Sequence, residues 1–126
     1  MKKILLVDDL GIDLMLTRLA LERHGAPYKI IVAHDGEEAY QRLKEAEFDL
    51  LLLDIKMPGV DGFELLERLR TDGGKPVTAI IVSGSGLPAD RNHVLALGAD
   101  DYIQKAIDYN VFKDELRAAL AWHSMN

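Results

Sequence analysis

The sequence predicts an α/β fold in which a doubly wound, five-stranded parallel sheet is covered by helices on both faces. Three observations predict it. Short apolar runs rich in leucine or branched residues alternate along the chain with segments of helical period, the pattern of repeated βαβ units joined by right-handed crossovers. The run Leu50-Leu51-Leu52-Leu53 has no polar alternation, as expected of a strand buried on both faces in a parallel sheet. Most of these runs stop at charged or small polar residues, so chemistry collects at the carboxyl ends of the strands, where open α/β sheets bind ligands.

The first strand runs from Lys3 to Val7 and stops at Asp8-Asp9. Ile12, Met15, Leu16, Leu19 and Ala20 then recur at helical spacing, so a helix covers roughly Gly11 to His24 and Gly25 closes it. Tyr28 to Ala33 reads as the second strand. Asp35 and Glu38 have capping-box spacing for a second helix with Ala39, Leu43 and Ala46 inward. The leucine run is the third strand and Asp54 follows it directly. Met57-Pro58-Gly59 turns the chain, and Asp61 with Glu64 caps a third helix in which Phe63, Leu65, Leu66 and Leu69 are apolar before Asp72-Gly73-Gly74 breaks it. Pro76 leads into a fourth strand, Val77 to Val82, which ends in Ser83-Gly84-Ser85-Gly86. Pro88 suits the first turn of a fourth helix that stops at Gly98. Tyr102-Ile103-Gln104 is the fifth strand, with Lys105 at its end. Val111, Phe112, Leu116, Ala119 and Leu120 give the fifth helix its inner face.

A chain of 126 residues fits one core of ordinary size, and no repeat, low-complexity stretch or linker divides it. The formal charge of -6 argues against nonspecific binding to nucleic acid or anionic membrane, because the long-range field repels polyanions. The absence of cysteine excludes disulfides, thiolate metal sites and a cysteine nucleophile. After Lys2-Lys3 the apolar run Ile4-Leu5-Leu6-Val7 is too short for a secretory signal, and no later run is long enough for a membrane span. A cytoplasmic protein with no membrane partner is expected.

In the doubly wound order 2-1-3-4-5, strands one and three lie side by side at the topological switch point, which brings Asp8, Asp9 and Asp54 to one end of the sheet. Three carboxylates so placed repel, and a hard divalent cation such as magnesium relieves this while leaving coordination positions for a phosphate oxygen. Ser83 and Lys105, ending strands four and five, add a hydroxyl and an ammonium on the same rim. Taken singly, each group also reads as something plainer: Asp54 as a turn or cap residue, Asp8-Asp9 as a strand stop, Ser83 as turn chemistry, Lys105 as a surface charge. Compatible groups at four of five strand ends carry the functional reading.

The motifs Val7-Asp8-Asp9, Asp54-Ile55-Lys56-Met57-Pro58-Gly59 with Asp61-Gly62, Ser83, and Gly98-Ala99 leading to Lys105 resemble those of the receiver domains of two-component response regulators, of the stand-alone, chemotaxis-regulator-like kind. The resemblance covers roughly Lys2 to Trp122. It implies a flavodoxin-like receiver (response regulatory) domain over residues 1–122, with 123–126 as a C-terminal tail. It further implies that Asp54 accepts a phosphoryl group, that Asp9, Asp54 and the Lys56 carbonyl ligate Mg2+ with Asp8 acting directly or through water, and that Lys105 contacts the phosphoryl group. Ser83 is similar to the hydroxyl residue that moves toward the phosphorylated site, and Tyr102 to an aromatic residue that responds to it. The implied partners are a sensor histidine kinase or phosphotransfer protein upstream and a protein docking on the face of helix four, strand five and helix five downstream, with no direct nucleic-acid contact. The domain would catalyse its own phosphorylation and dephosphorylation without being a turnover enzyme on a separate substrate.

Where family members usually have proline after the lysine this chain has Lys105–Ala106, so a trans peptide is expected there. A phosphatase with an aspartyl nucleophile would be expected to place a second acid two residues on, where Lys56 stands. A receiver degenerated into a docking module would lack an acid, the hydroxyl or the lysine. A flavin site would be opposed by two aspartates at its phosphate loop. No shift from acidic to basic composition marks a DNA-binding output module, so signalling through protein docking is expected.

Overall fold

The computed structural model describes residues 2–8, 11–22, 28–55, 59–72, 77–84, 86–105 and 108–123, the side chains of 11–14 excepted. Strands and helices alternate throughout: β1 (Lys2–Val7), α1 (Gly11–Glu22), β2 (Tyr28–Ala33), α2 (Gly36–Glu45), β3 (Leu50–Leu53), α3 (Gly62–Thr71), β4 (Thr78–Ser83), α4 (Pro88–Ala96), β5 (Asp101–Gln104) and α5 (Tyr109–Trp122). The strands form one sheet in the order β2-β1-β3-β4-β5, and every neighbouring pair is parallel. This is the flavodoxin-like, doubly wound arrangement expected from the sequence, with β1 and β3 at its centre.

The leucine run supplies two cores at once because successive side chains of a strand point to opposite faces. Leu51 and Leu53 join Leu5, Val7, Ile81 and Tyr102 on the face covered by Ala39, Leu65, Leu66 and Val94 from α2, α3 and α4. Leu50 and Leu52 join Ile4, Leu6, Ile80 and Ile103 on the other face, under Leu21 of α1 and Phe112, Leu116 and Leu120 of α5. All four leucines are buried, each worth roughly 1.5–3 kcal/mol of transfer free energy relative to exposure. A charge within this run would have no solvent on either side.

The helix starts follow the sequence closely. Asp35 Oδ1 accepts from the Glu38 amide at 2.8 Å and Asp61 Oδ1 from the Glu64 amide at 2.9 Å, so both expected caps form. Pro88 lies in the first turn of α4. One expectation about a helix face is corrected, in α5, and α1 turns much of its apolar spacing outward. In α1, Met15, Leu16 and Leu19 face solvent, with Met15 71% exposed, and among its described side chains the buried ones are Thr17, Ala20 and Leu21. The segment GIDLMLTRLALE is apolar around most of its circumference, so its period does not fix which arc turns inward. In α5, Val111 is exposed, while Phe112, Leu116, Ala119 and Leu120 form the inner face as expected. Among the described residues no helix is long and apolar enough to cross a membrane.

Candidate functional site

The sheet ladder continues one residue past several strands, and that extension positions the chemistry. The Asp8 amide donates to Ala33 O at 3.2 Å, the Asp54 amide to Val7 O at 3.1 Å, and the Lys105 amide to Ser83 O at 2.8 Å. Each backbone is thereby held at the carboxyl rim with its side chain just beyond the apolar core. Asp8 is 3% exposed and Asp54 5%. Lys105 Nζ reaches across from the edge of the sheet to both, lying 2.9 Å from Asp8 Oδ2 and 3.2 Å from Asp54 Oδ2. An aliphatic stem and a terminal cation let one side chain bridge two acids on strands it does not neighbour.

Ser83, the last residue of β4, is 1% exposed and stands opposite Gln104 in the register with β5. It therefore sits on the strand between the one that ends in Asp54 and the one that ends in Lys105. The structure thus brings Asp8, Asp54 and Lys105 into direct contact and places Ser83 on the same rim. Asp9 and Lys56, assigned to the metal by resemblance, lie outside the described residues, as does the Lys105–Ala106 bond.

Tyr102, similar by resemblance to an aromatic residue that responds to the site, is 9% exposed and packs in the cluster that contains Val94 and Ala99. Burial follows from its position on β5, where it pairs with Ile81 over the face covered by α4. Beside it, an open groove of about 350 Å³ runs between α4, β5 and α5, lined by Leu87, Pro88, Arg91, Tyr102, Gln104 and Glu115. The resemblance named this face; no sequence signal picks out Leu87, Arg91 or Glu115, because only the fold brings them together.

Two nearly buried carboxylates, both in contact with the Lys105 ammonium, gather oxygen donors at the site. That donor set fits a hard divalent cation. Among the described residues no group of three or more acidic, histidine or cysteine side chains forms a complete metal site. By the resemblance, Asp9 and the Lys56 carbonyl would join Asp8 and Asp54 in holding such an ion, whose chemistry there would be to offset charge on a transferring phosphoryl group.

Acids at the switch point of a parallel sheet, bridged by a lysine from its last strand, define a signalling module of the phospho-accepting switch class. The chain belongs to the response regulator receiver domain family, which it matches over residues 4–119. It is 44% identical over 123 residues to the transcriptional regulatory protein CpxR of Escherichia coli K12, an alignment covering 95% of this chain and 50% of CpxR. The chain thus spans about half the length of that curated relative, and 41% of the response regulator GtcR of Aneurinibacillus migulanus. Among solved structures, the phosphorylated cyanobacterial phytochrome response regulator RcpA superposes with a TM-score of 0.87 at 28% identity, covering 96% of this chain and 92% of RcpA. The response regulator TrrA of Thermotoga maritima, in complex with Mg2+ and BeF, superposes with a TM-score of 0.77 at 30% identity, covering 94% of this chain and 98% of TrrA.

Proposed function

We propose that Asp54 is the phosphoacceptor of this receiver domain, taking a phosphoryl group from a sensor histidine kinase or phosphotransfer protein in a Mg2+-dependent step. The observation that carries the assignment is the Lys105 ammonium held between the buried carboxylates of Asp8 and Asp54. It places a positive charge beside the carboxylate that attacks, where negative charge arrives. An Asp54 carboxylate oxygen attacks phosphorus, the phosphorus–nitrogen bond of the donor breaks, and the leaving imidazole nitrogen takes the electron pair and a proton. The product is an acyl phosphate. Attack of water on phosphorus breaks its bond to Asp54 and resets the site, so the domain acts on itself and not as a turnover enzyme.

Lys105 contacts the phosphoryl oxygens, and the Ser83 hydroxyl turns toward them as a neutral donor on the same rim. Phosphorylation adds about -1.5 to -2 charge, and the adjustment at Ser83 is passed to Tyr102 and the face of α4, β5 and α5, where a protein partner docks. Residues 1–122 form the receiver unit and 123–126 its tail, with His123 tied back to Asp101 at 3.2 Å. The net charge of -6 supports a protein partner for this unit over direct contact with nucleic acid or an anionic membrane.

Incubation with acetyl phosphate, with and without Mg2+, followed by intact mass measurement tests the proposal. One phosphoryl group should add to the wild type with metal present, and none to Asp54→Asn or in the presence of chelator. Labelling of Asp54→Asn at the wild-type level, or undiminished labelling in chelator, would falsify the assignment.

A further inference from the structure

The connection between β3 and α3 carries the backbone of Asp54 into its turn, and two glycines mark where it is clamped. Gly62 donates its amide to Ile55 O at 2.8 Å, and a Cβ placed on it would lie 2.7 Å from both Asp54 O and Ile55 Cα. Gly36, at the start of α2, makes a second close approach. A Cβ there would overlap the Val60 carbonyl oxygen, 2.8 Å from Val60 Cγ1 and 2.9 Å from the Val60 carbonyl carbon. Most of these clashes are with backbone, so no change of rotamer relieves them.

The geometry points to Gly36 as a positioning residue for the phosphoacceptor site: it is the seat on which Val60 rests, and through Val60 it fixes the connection that leaves Asp54. This rests on the functional reading above only in calling the site phospho-accepting and metal-binding. If a side chain is added at Gly36, the first turn of α2 is the part that stays in place. That turn is capped by Asp35, buries Ala39 completely and is joined to α3 by Arg68 on Glu37 at 3.0 Å. Val60 is the part that moves, since it follows exposed Gly59 and is itself only partly buried. Two residues later the chain is Gly62, in contact with the Asp54 backbone, so the displacement reaches the acid within three residues.

Gly36→Ala, Val60→Ala and, as a control, Ala39→Gly are compared by amide hydrogen exchange at Gly62 and by Mg2+ titration followed through the Asp54 and Ile55 amide shifts. Neither readout uses a phosphoryl donor. Ala39→Gly loosens the same helix while adding no atom against Val60. Gly36→Ala should speed Gly62 exchange beyond the control and raise the Mg2+ concentration for half-saturation about tenfold, the size of effect seen when groups supporting metal ligands are changed. Val60→Ala should move both in the same direction by less. Gly62 exchange and Mg2+ demand unchanged in Gly36→Ala, or shifted as far in Ala39→Gly, would overturn the proposal. If Gly36→Ala does not fold, Val60→Ala decides: both readouts shifted supports the seat, both unchanged overturns it. A wild type that binds no Mg2+ defeats the functional reading instead, and Gly62 exchange then decides the seat by itself.

Discussion

Replacing Lys105 with methionine removes one charge while keeping most of the apolar stem, and the structure sets the size of the result. The side chains of Asp8 and Asp54 are 4% and 7% exposed and both lie against a single nitrogen that is itself little exposed. Oxygens 2.9 and 3.2 Å from one nitrogen are no more than about 6 Å apart, where two unit charges repel by roughly 3 kcal/mol at an effective dielectric of about 20. Breaking a buried pair by deleting one partner usually costs about 3–5 kcal/mol, so Lys105→Met should lose about that much stability in metal-free buffer. Urea unfolding followed by far-ultraviolet circular dichroism measures it, with an unchanged m value as the check that only stability has moved. Mg2+ should then restore more to the variant than it adds to the wild type, because the variant's acids have lost their other counter-charge. A ligand at about 100 times its dissociation constant adds about 2.7 kcal/mol to the protein that binds it. A metal-free loss below about 1 kcal/mol, the size of an exposed ion pair, would refute the reasoning, and so would a loss that Mg2+ does not reduce.

Ser83→Ala should still label at Asp54 but lose most of the phosphorylation-dependent amide shifts in α4, β5 and α5; a full wild-type response removes Ser83 from the route of transmission. Asp61→Ala deletes the cap bonded to the Glu64 amide and should lower stability by about 1 kcal/mol; an unchanged urea midpoint would show that the cap contributes nothing. Leu21→Ala should cost about 2–5 kcal/mol, whereas Leu19→Gln on the solvent side of α1 should stay within about 0.5 kcal/mol. Equal effects at the two positions would mean that α1 is turned the other way.

The sheet order and the site were legible for a common reason. Strands buried on both faces cannot hide charges, so Asp8, Asp54 and Lys105 punctuate the sequence where the strands emerge. The caps at Asp35 and Asp61 were legible because they depend on neighbours three residues apart. The inward arc of α1 was not, since a helix apolar on most sides takes its rotation from the sheet it covers. The depth of Tyr102 is set by α4, which precedes it in the chain but packs over it only in the fold. The close approach of Gly36 to Val60 left no sequence signal at all: a glycine before a helix is common, and only the structure shows backbone pressed against it.

The bridge from Lys105 also bears on how the chain reaches its native state. Its two partners lie 97 and 51 residues earlier in the sequence. Synthesis from the amino terminus therefore delivers both acids long before the cation that balances them. Parallel pairing is slow because loop closure must precede its reward, and here the central strands carry an added electrostatic burden until the edge strand docks. A chain that has emerged only through β4 can gather its leucines, but it presses Asp8 and Asp54 together without the lysine. Arrival of β5 brings Lys105 to both acids, so the ion pair links docking of the edge strand to the packing of the central ones.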